Sequence, residues 1–100
     1  MREINSNISK IKTLCNDNRV VFLFAFGSVV NNNLKPDSHI DLLVDIDEKD
    51  PLKYSDYYFN IKFELEKIFN RHIDLLEKKG IKNPYLKQQI EKTGVLIYER

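Results

Sequence analysis

Ile4, Ile8, Ile11, Leu14 and Cys15 recur at the spacing that lines one side of a 3.6-residue helix, and this predicts a first helix over about residues 3 to 16. Asn16-Asp17-Asn18 breaks that pattern with turn formers. Val20 to Phe26 follows as an unbroken β-branched and aromatic run, the pattern of a central strand buried on both faces. It ends at Gly27-Ser28, after which Val29 to Asn33 is compatible with a short helix before the turn residues Lys35-Pro36-Asp37-Ser38. The next strand starts near His39. Ile40, Leu42, Val44 and Ile46 alternate along it and share one face, so His39, Asp41 and Asp45 share the other.

Asp50-Pro51 carries the signature of a helix start, an acidic cap followed by proline at the first helical position, and the helix should run to about Asn70. Tyr54, Tyr57, Tyr58, Ile61, Leu65, Ile68 and Phe69 form its apolar stripe. His72-Ile73-Asp74-Leu75-Leu76 reads as a third strand with His72 and Asp74 on one face. Pro84 opens a last helix through Leu86 and Ile90, Gly94 closes it, and Val95-Leu96-Ile97-Tyr98 forms a final strand. Helices alternating with strands imply an α/β protein, a mixed β-sheet with helices packed on it. No repeat or linker interrupts the pattern, so residues 1–100 read as a single domain.

Composition narrows the function. The chain has 100 residues, 42% hydrophobic and 31% charged, enough for one core. Sixteen basic and fifteen acidic residues leave a net charge of +1, which provides no broad field for nucleic acid or an anionic membrane. The seven-residue run from Val20 to Phe26 is far shorter than the roughly 20 residues a membrane-spanning helix needs. The amino terminus has no apolar core of a secretory signal, and a lone cysteine rules out an internal disulfide and any CxxC motif. Together these point to the cytoplasm. Cys15 reads as a small core residue, Asp45, Asp47, Glu48 and Asp50 as a solvated strand end, and Lys78-Lys79 with Lys82 as surface.

One constellation points to chemistry. Gly-Ser at the end of a buried strand offers backbone N–H groups and a hydroxyl where phosphate oxygens can sit, although alone such a pair is an ordinary strand-to-helix turn. Its spacing is more telling. Ten residues separate Ser28 from His39, His39-Ile40-Asp41 leads into Leu42-Leu43-Val44, and Asp74 lies centrally in a later strand.

This pattern resembles the minimal nucleotidyltransferases of the DNA polymerase beta superfamily, in which Gly-Ser is followed after about ten residues by Asp-x-Asp and later by a third Asp. The resemblance runs nearly end to end, from Phe24-Ala25-Phe26-Gly27-Ser28 through Pro36-Asp37-Ser38 and Asp41-Leu42-Leu43-Val44 to the closing Ile90–Glu99 segment. It implies the nucleotidyltransferase fold. It also implies that Gly27 and Ser28 hold a triphosphate, that Asp41 and Asp74 are metal-binding catalytic carboxylates, and that the metal is Mg²⁺ or Mn²⁺. The implied reaction moves a nucleotidyl group, AMP from ATP, to a hydroxyl of a protein or small molecule. Stand-alone domains of this kind resemble antitoxins paired with a helical HEPN-type toxin.

The sequence departs from the family in two places. His39 stands where the family has its first Asp. A carboxylate can bridge two ions roughly 3.5 to 4 Å apart, whereas an imidazole offers one nitrogen and suits zinc, copper or nickel better than magnesium. Three roles are open to His39. Its presence impairs or silences catalysis, leaving an antitoxin-like binding module for a HEPN-type partner; or Asp41 and Asp74 hold one ion, or a softer metal accepts His39 with help from His72; or His39 is a polar strand-edge residue bonded to Asp41 or Asp74. Asp37 is a substitute ligand only after local rearrangement. The second departure is Val29-Val30-Asn31-Asn32-Asn33, which lacks the arginine the family tends to carry there, with Lys35 the nearest cation.

Overall fold

A computed structural model describes residues 1–31 and 33–100. The elements are helices α1 (Arg2–Asn5) and α2 (Ile8–Asp17), strand β1 (Val20–Phe26), strand β2 (Ile40–Ile46), helix α3 (Pro51–Phe69), strand β3 (Ile73–Glu77), helix α4 (Pro84–Thr93) and strand β4 (Val95–Glu99). Single 3₁₀ turns follow β1 at Gly27–Val29 and β3 at Lys78–Gly80. The strands form one mixed sheet in the order β3-β2-β1-β4, with β1 antiparallel to both neighbours and β2 parallel to β3. This is the α/β architecture that the alternation of elements implies.

Three expectations need correction. The first helix is not continuous from 3 to 16 but breaks at Ser6-Asn7. The Asn7 side chain donates to the carbonyl of Glu3 at 2.9 Å, a local bond that competes with the helix ladder and splits the segment in two. Nor is β1 buried on both faces. Val20, Leu23 and Ala25 are fully buried, while Phe22, Phe24 and Phe26 are only partly buried on the other side. The reason is that α1, α2 and α3 all pack on one face, where Ile4, Ile11, Cys15, Tyr54, Ile61 and Leu65 close over Ile40, Leu42, Val44, Ile73 and Leu75. After Gly27–Val29 the chain turns rather than continuing a helix, and Asn32, within the expected short helix, lies outside the described residues.

The β2–α3–β3 and β3–α4–β4 crossovers run in opposite directions across the sheet, so right-handed connections put α4 on the face opposite α3. Leu43 and Ile90 are accordingly buried without belonging to the main core. Leu96, Phe24, Leu43 and Leu76 form a register row across this second face. Polar residues at the element ends set the boundaries. Asp50 accepts the amide of Leu52 at 3.0 Å at the start of α3, and Asn83 accepts that of Tyr85 at 2.9 Å at the start of α4. Asn70 ends α3 in the left-handed conformation at φ 52°. Gly94 has an extended backbone and is required for space instead: a Cβ there would collide with the carbonyl of Ile90 and come within 2.9 Å of that of Ala25.

Burial pushes the Cys15 thiol up to about 12. The native state therefore favours the neutral thiol, and the stability this represents is present below the unfolded thiol's value, about 8.5, and lost as pH rises toward the folded one. Iodoacetamide should leave Cys15 unmodified at pH 8 and label it fully in denaturant. Rapid labelling of the native protein would contradict this packing.

Candidate functional site

The site lies where the end of β1 meets the starts of β2 and β3. Antiparallel pairing sets Phe26 beside Asp41, and parallel pairing sets Asp41 beside Asp74, so both carboxylates leave the sheet on the face opposite α3. Directly after Phe26, Gly27 adopts φ 76°, a conformation that side-chain-bearing residues avoid. It also has no room for a side chain, since a Cβ at Gly27 would lie 2.6 Å from Asp41 Oδ2. The backbone thus runs against the carboxylate, and Ser28 continues the same 3₁₀ turn.

His39, Asp41 and Asp74 each offer a ligand atom within 4.8 Å of the others. Nε2 of His39 is 3.0 Å from Asp41 Oδ1, with the imidazole about half exposed and the carboxylate mostly covered. The Asp41 carboxyl sits above its usual range, chiefly because burial disfavours its charge; His39 opposes that rise and Asp74 adds to it. Ligand-grade oxygens and a nitrogen converging beside a glycine turn suit a divalent cation and an anion bound next to it.

Other candidates are placed elsewhere. His72 lies outside the three-group cluster; its ring centre is 6.4 Å from that of His39, and its Nδ1 is 3.2 Å from Glu66 Oε2. Asp37 is exposed in the preceding turn, also outside the cluster. The acids after β2 have structural partners: Asp47 pairs with Arg100 at 2.9 Å and Arg19 at 3.7 Å, Glu48 accepts the amides of Lys49 and Asp50, and Asp50 caps α3. Lys79 sits over the Tyr54 ring at 3.3 Å and Lys78 over Phe22 at 5.6 Å.

Two residues that position the site escaped sequence reasoning. Nη1 of Arg71 donates to the carbonyls of Lys35, Pro36 and Ser38 at 2.6, 3.3 and 3.0 Å, fastening the turn that delivers His39. Glu66, in the last turns of α3, accepts the amide of Ile73 at 3.1 Å and so ties that helix to the start of the Asp74 strand.

The family profile described as polymerase beta, nucleotidyltransferase, matches residues 9–100. The chain belongs to this nucleotidyltransferase family. A Methanocaldococcus jannaschii protein that bears the provisional name protein adenylyltransferase, MJ1379, is 36% identical over 99 residues, covering 98% of this chain and 96% of the relative. A solved structure provisionally described as a minimal nucleotidyltransferase superposes with TM-score 0.78 at 25% identity, over 92% of this chain and 90% of that one. A chain from the structure of a tri-AMPylated Shewanella oneidensis HEPN toxin in complex with MNT antitoxin matches with TM-score 0.65 at 20% identity, over 96% of this chain and 72% of that one. At that identity the match speaks for the nucleotidyltransferase fold alone.

Arg71→Met should free the 35–38 turn. The expected loss is about 1 to 2 kcal/mol in denaturant unfolding, with faster amide exchange at Ser38 and Ile40 than elsewhere in the sheet. Unchanged exchange at these amides would show that the three bonds do not hold the turn.

Proposed function

We propose that this nucleotidyltransferase family member transfers AMP from ATP to a hydroxyl of a protein, with a HEPN-type helical protein as its acceptor and partner in an antitoxin-like pair. The observation that carries this reading is the convergence of Asp41 and Asp74 beside the Gly27 turn. The curated adenylyltransferase relative supports adenylyl chemistry, and the fold shared with a chain from a toxin–antitoxin complex supports the partner. The reading places the protein in the cytoplasm, consistent with its buried lone thiol, and takes residues 1–100 as one catalytic domain.

In this reading Gly27 and Ser28 hold the triphosphate, their turn offering amides that lack an intrahelical carbonyl partner. Asp41 and Asp74, with His39, hold the cation. A divalent ion held there would supply positive charge to offset the phosphates and favour in-line attack at the α-phosphorus. The acceptor oxygen forms a bond to the α-phosphorus, the bond from that phosphorus to pyrophosphate breaks, and the hydroxyl proton is lost to the solvent side of the site. Asp74 is exposed and stands where a large acceptor can approach, whereas Asp41, against Gly27, is the more enclosed anchor.

A second reading is favoured by the contact between His39 Nε2 and Asp41 Oδ1 at 3.0 Å, His39 standing where the family's pattern has its first Asp. It is a catalytically silent binding module for the same kind of partner.

ATP labelled at the α-phosphate, incubated with the protein and a co-purifying HEPN-type partner in Mg²⁺ or Mn²⁺, separates the two. Transfer of label to the partner is expected, with Asp41→Asn and Asp74→Asn each lowering it about 100-fold or more. Stable association without label transfer under either ion would overturn the enzymatic reading in favour of the binding module.

A further inference from the structure

The donors that converge at the site differ in kind from those that hold a pair of magnesium ions. His39 contributes a nitrogen, and Asp41 and Asp74 contribute oxygens, all within 4.8 Å of one another. Around an ion with bonds of about 2.1 Å, adjacent ligands sit about 3.0 Å apart in an octahedron and about 3.4 Å in a tetrahedron. The 3.0 Å between His39 Nε2 and Asp41 Oδ1 already meets that spacing. The remaining pairs lie within 4.8 Å, so small side-chain rotations would bring all three groups into a single coordination shell.

A second ion a few ångströms away would need a carboxylate shared between the two. His39 has no second atom to share on the side facing Asp41. Asp41 Oδ2 is turned toward Gly27, at 2.6 Å from where a Cβ would be, which confines that oxygen against the backbone. His72 is not among the three converging groups, and its Nδ1 faces Glu66 Oε2 at 3.2 Å. The arrangement is also held in advance. Asp41 and Asp74 are fixed by strand register, the amide of Ile40 donates to the carbonyl of His72 at 3.1 Å, and Arg71 fastens the turn before His39.

Magnesium takes oxygen ligands in near-ideal octahedra and sheds water reluctantly, whereas affinity for sites with nitrogen ligands rises from manganese through cobalt and nickel to copper before falling at zinc. We infer that His39, Asp41 and Asp74 form a one-ion site selective for a borderline divalent transition ion, of the manganese, cobalt, nickel or zinc type, over magnesium. His39 is then a selectivity determinant rather than a lesion. The inference shares the location of the nucleotidyl-transfer site but rests on donor chemistry, and it is tested without nucleotide.

The experiment titrates the full chain with Co²⁺, Zn²⁺ and Mg²⁺ by calorimetry, with the visible absorption of bound Co²⁺ as a second readout. One equivalent of Co²⁺ or Zn²⁺ should bind about tenfold or more tighter than Mg²⁺, and the Co²⁺ spectrum should report a nitrogen ligand. His39→Ala should remove the strong Co²⁺ binding, His39→Asp should reverse the order in favour of Mg²⁺, and His72→Ala should leave the order unchanged. The His39 side chain is about half exposed, so its variants should keep the native unfolding midpoint. Equal affinity for Mg²⁺ and Co²⁺, or a preference that survives His39→Ala, would overturn the inference. Absence of label transfer under all ions with the selectivity intact would instead count against the proposed function alone.

Discussion

Parallel pairing of β2 with β3 puts Asp41 level with Asp74, and everything else at the site is built around the cost of keeping those two acids side by side. Like charges at this distance resist joint ionisation, and the raised Asp41 carboxyl registers that repulsion together with the larger effect of burial. The imidazole of His39 opposes the rise, and a divalent cation would do so more strongly. Such a pair of acids is a poor way to stabilise a sheet and a good way to hold a positive ion.

The fold keeps this arrangement in place by separating its two faces. Three helices close over the aliphatic face of the sheet and form the main core, so the strands cannot slip by one residue without moving Ile40, Leu42 and Val44 out of it. The opposite face carries the acids near one end and an apolar row running from Leu96 to Leu76, over which the crossover rule places α4. Register fixed by apolar burial on one side thereby positions charges on the other. Arg71 and Glu66 complete the support by tying the turn before β2 and the start of β3 to the end of α3.

Much of this could be read from the chain. Asp50-Pro51 and Pro84 announce their helices because helix starts are local chemistry; the Asp50 cap forms as read, and the structure adds an equivalent cap at Asn83. The spacing from Gly27-Ser28 to Asp41 and then Asp74 was legible through its resemblance to the nucleotidyltransferase pattern. The break at Ser6-Asn7 was hidden beneath a helical apolar repeat that continues through it. The open face of β1 was hidden as well, since phenylalanines at alternate positions look the same whether a helix covers them or not. Arg71 left no pattern at all: its carbonyl partners lie 33 to 36 residues earlier in the chain. In sequence His72 reads as a helper of His39 on the face of Asp74, whereas the structure leaves it outside the three-group cluster with its Nδ1 beside Glu66.

The central claim is that one cation sits among His39, Asp41 and Asp74 and not in the acidic loop that follows β2. Line broadening of backbone amide signals by sub-stoichiometric Mn²⁺ addresses it directly, because the paramagnetic effect falls steeply with distance from the ion. Signals of Gly27, Ser28, Ile40, Asp41 and Asp74 should disappear first while those of Asp47 to Asp50 persist. Earlier loss at Asp47 to Asp50, or uniform broadening across the chain, would contradict a cation site at the junction of β1, β2 and β3.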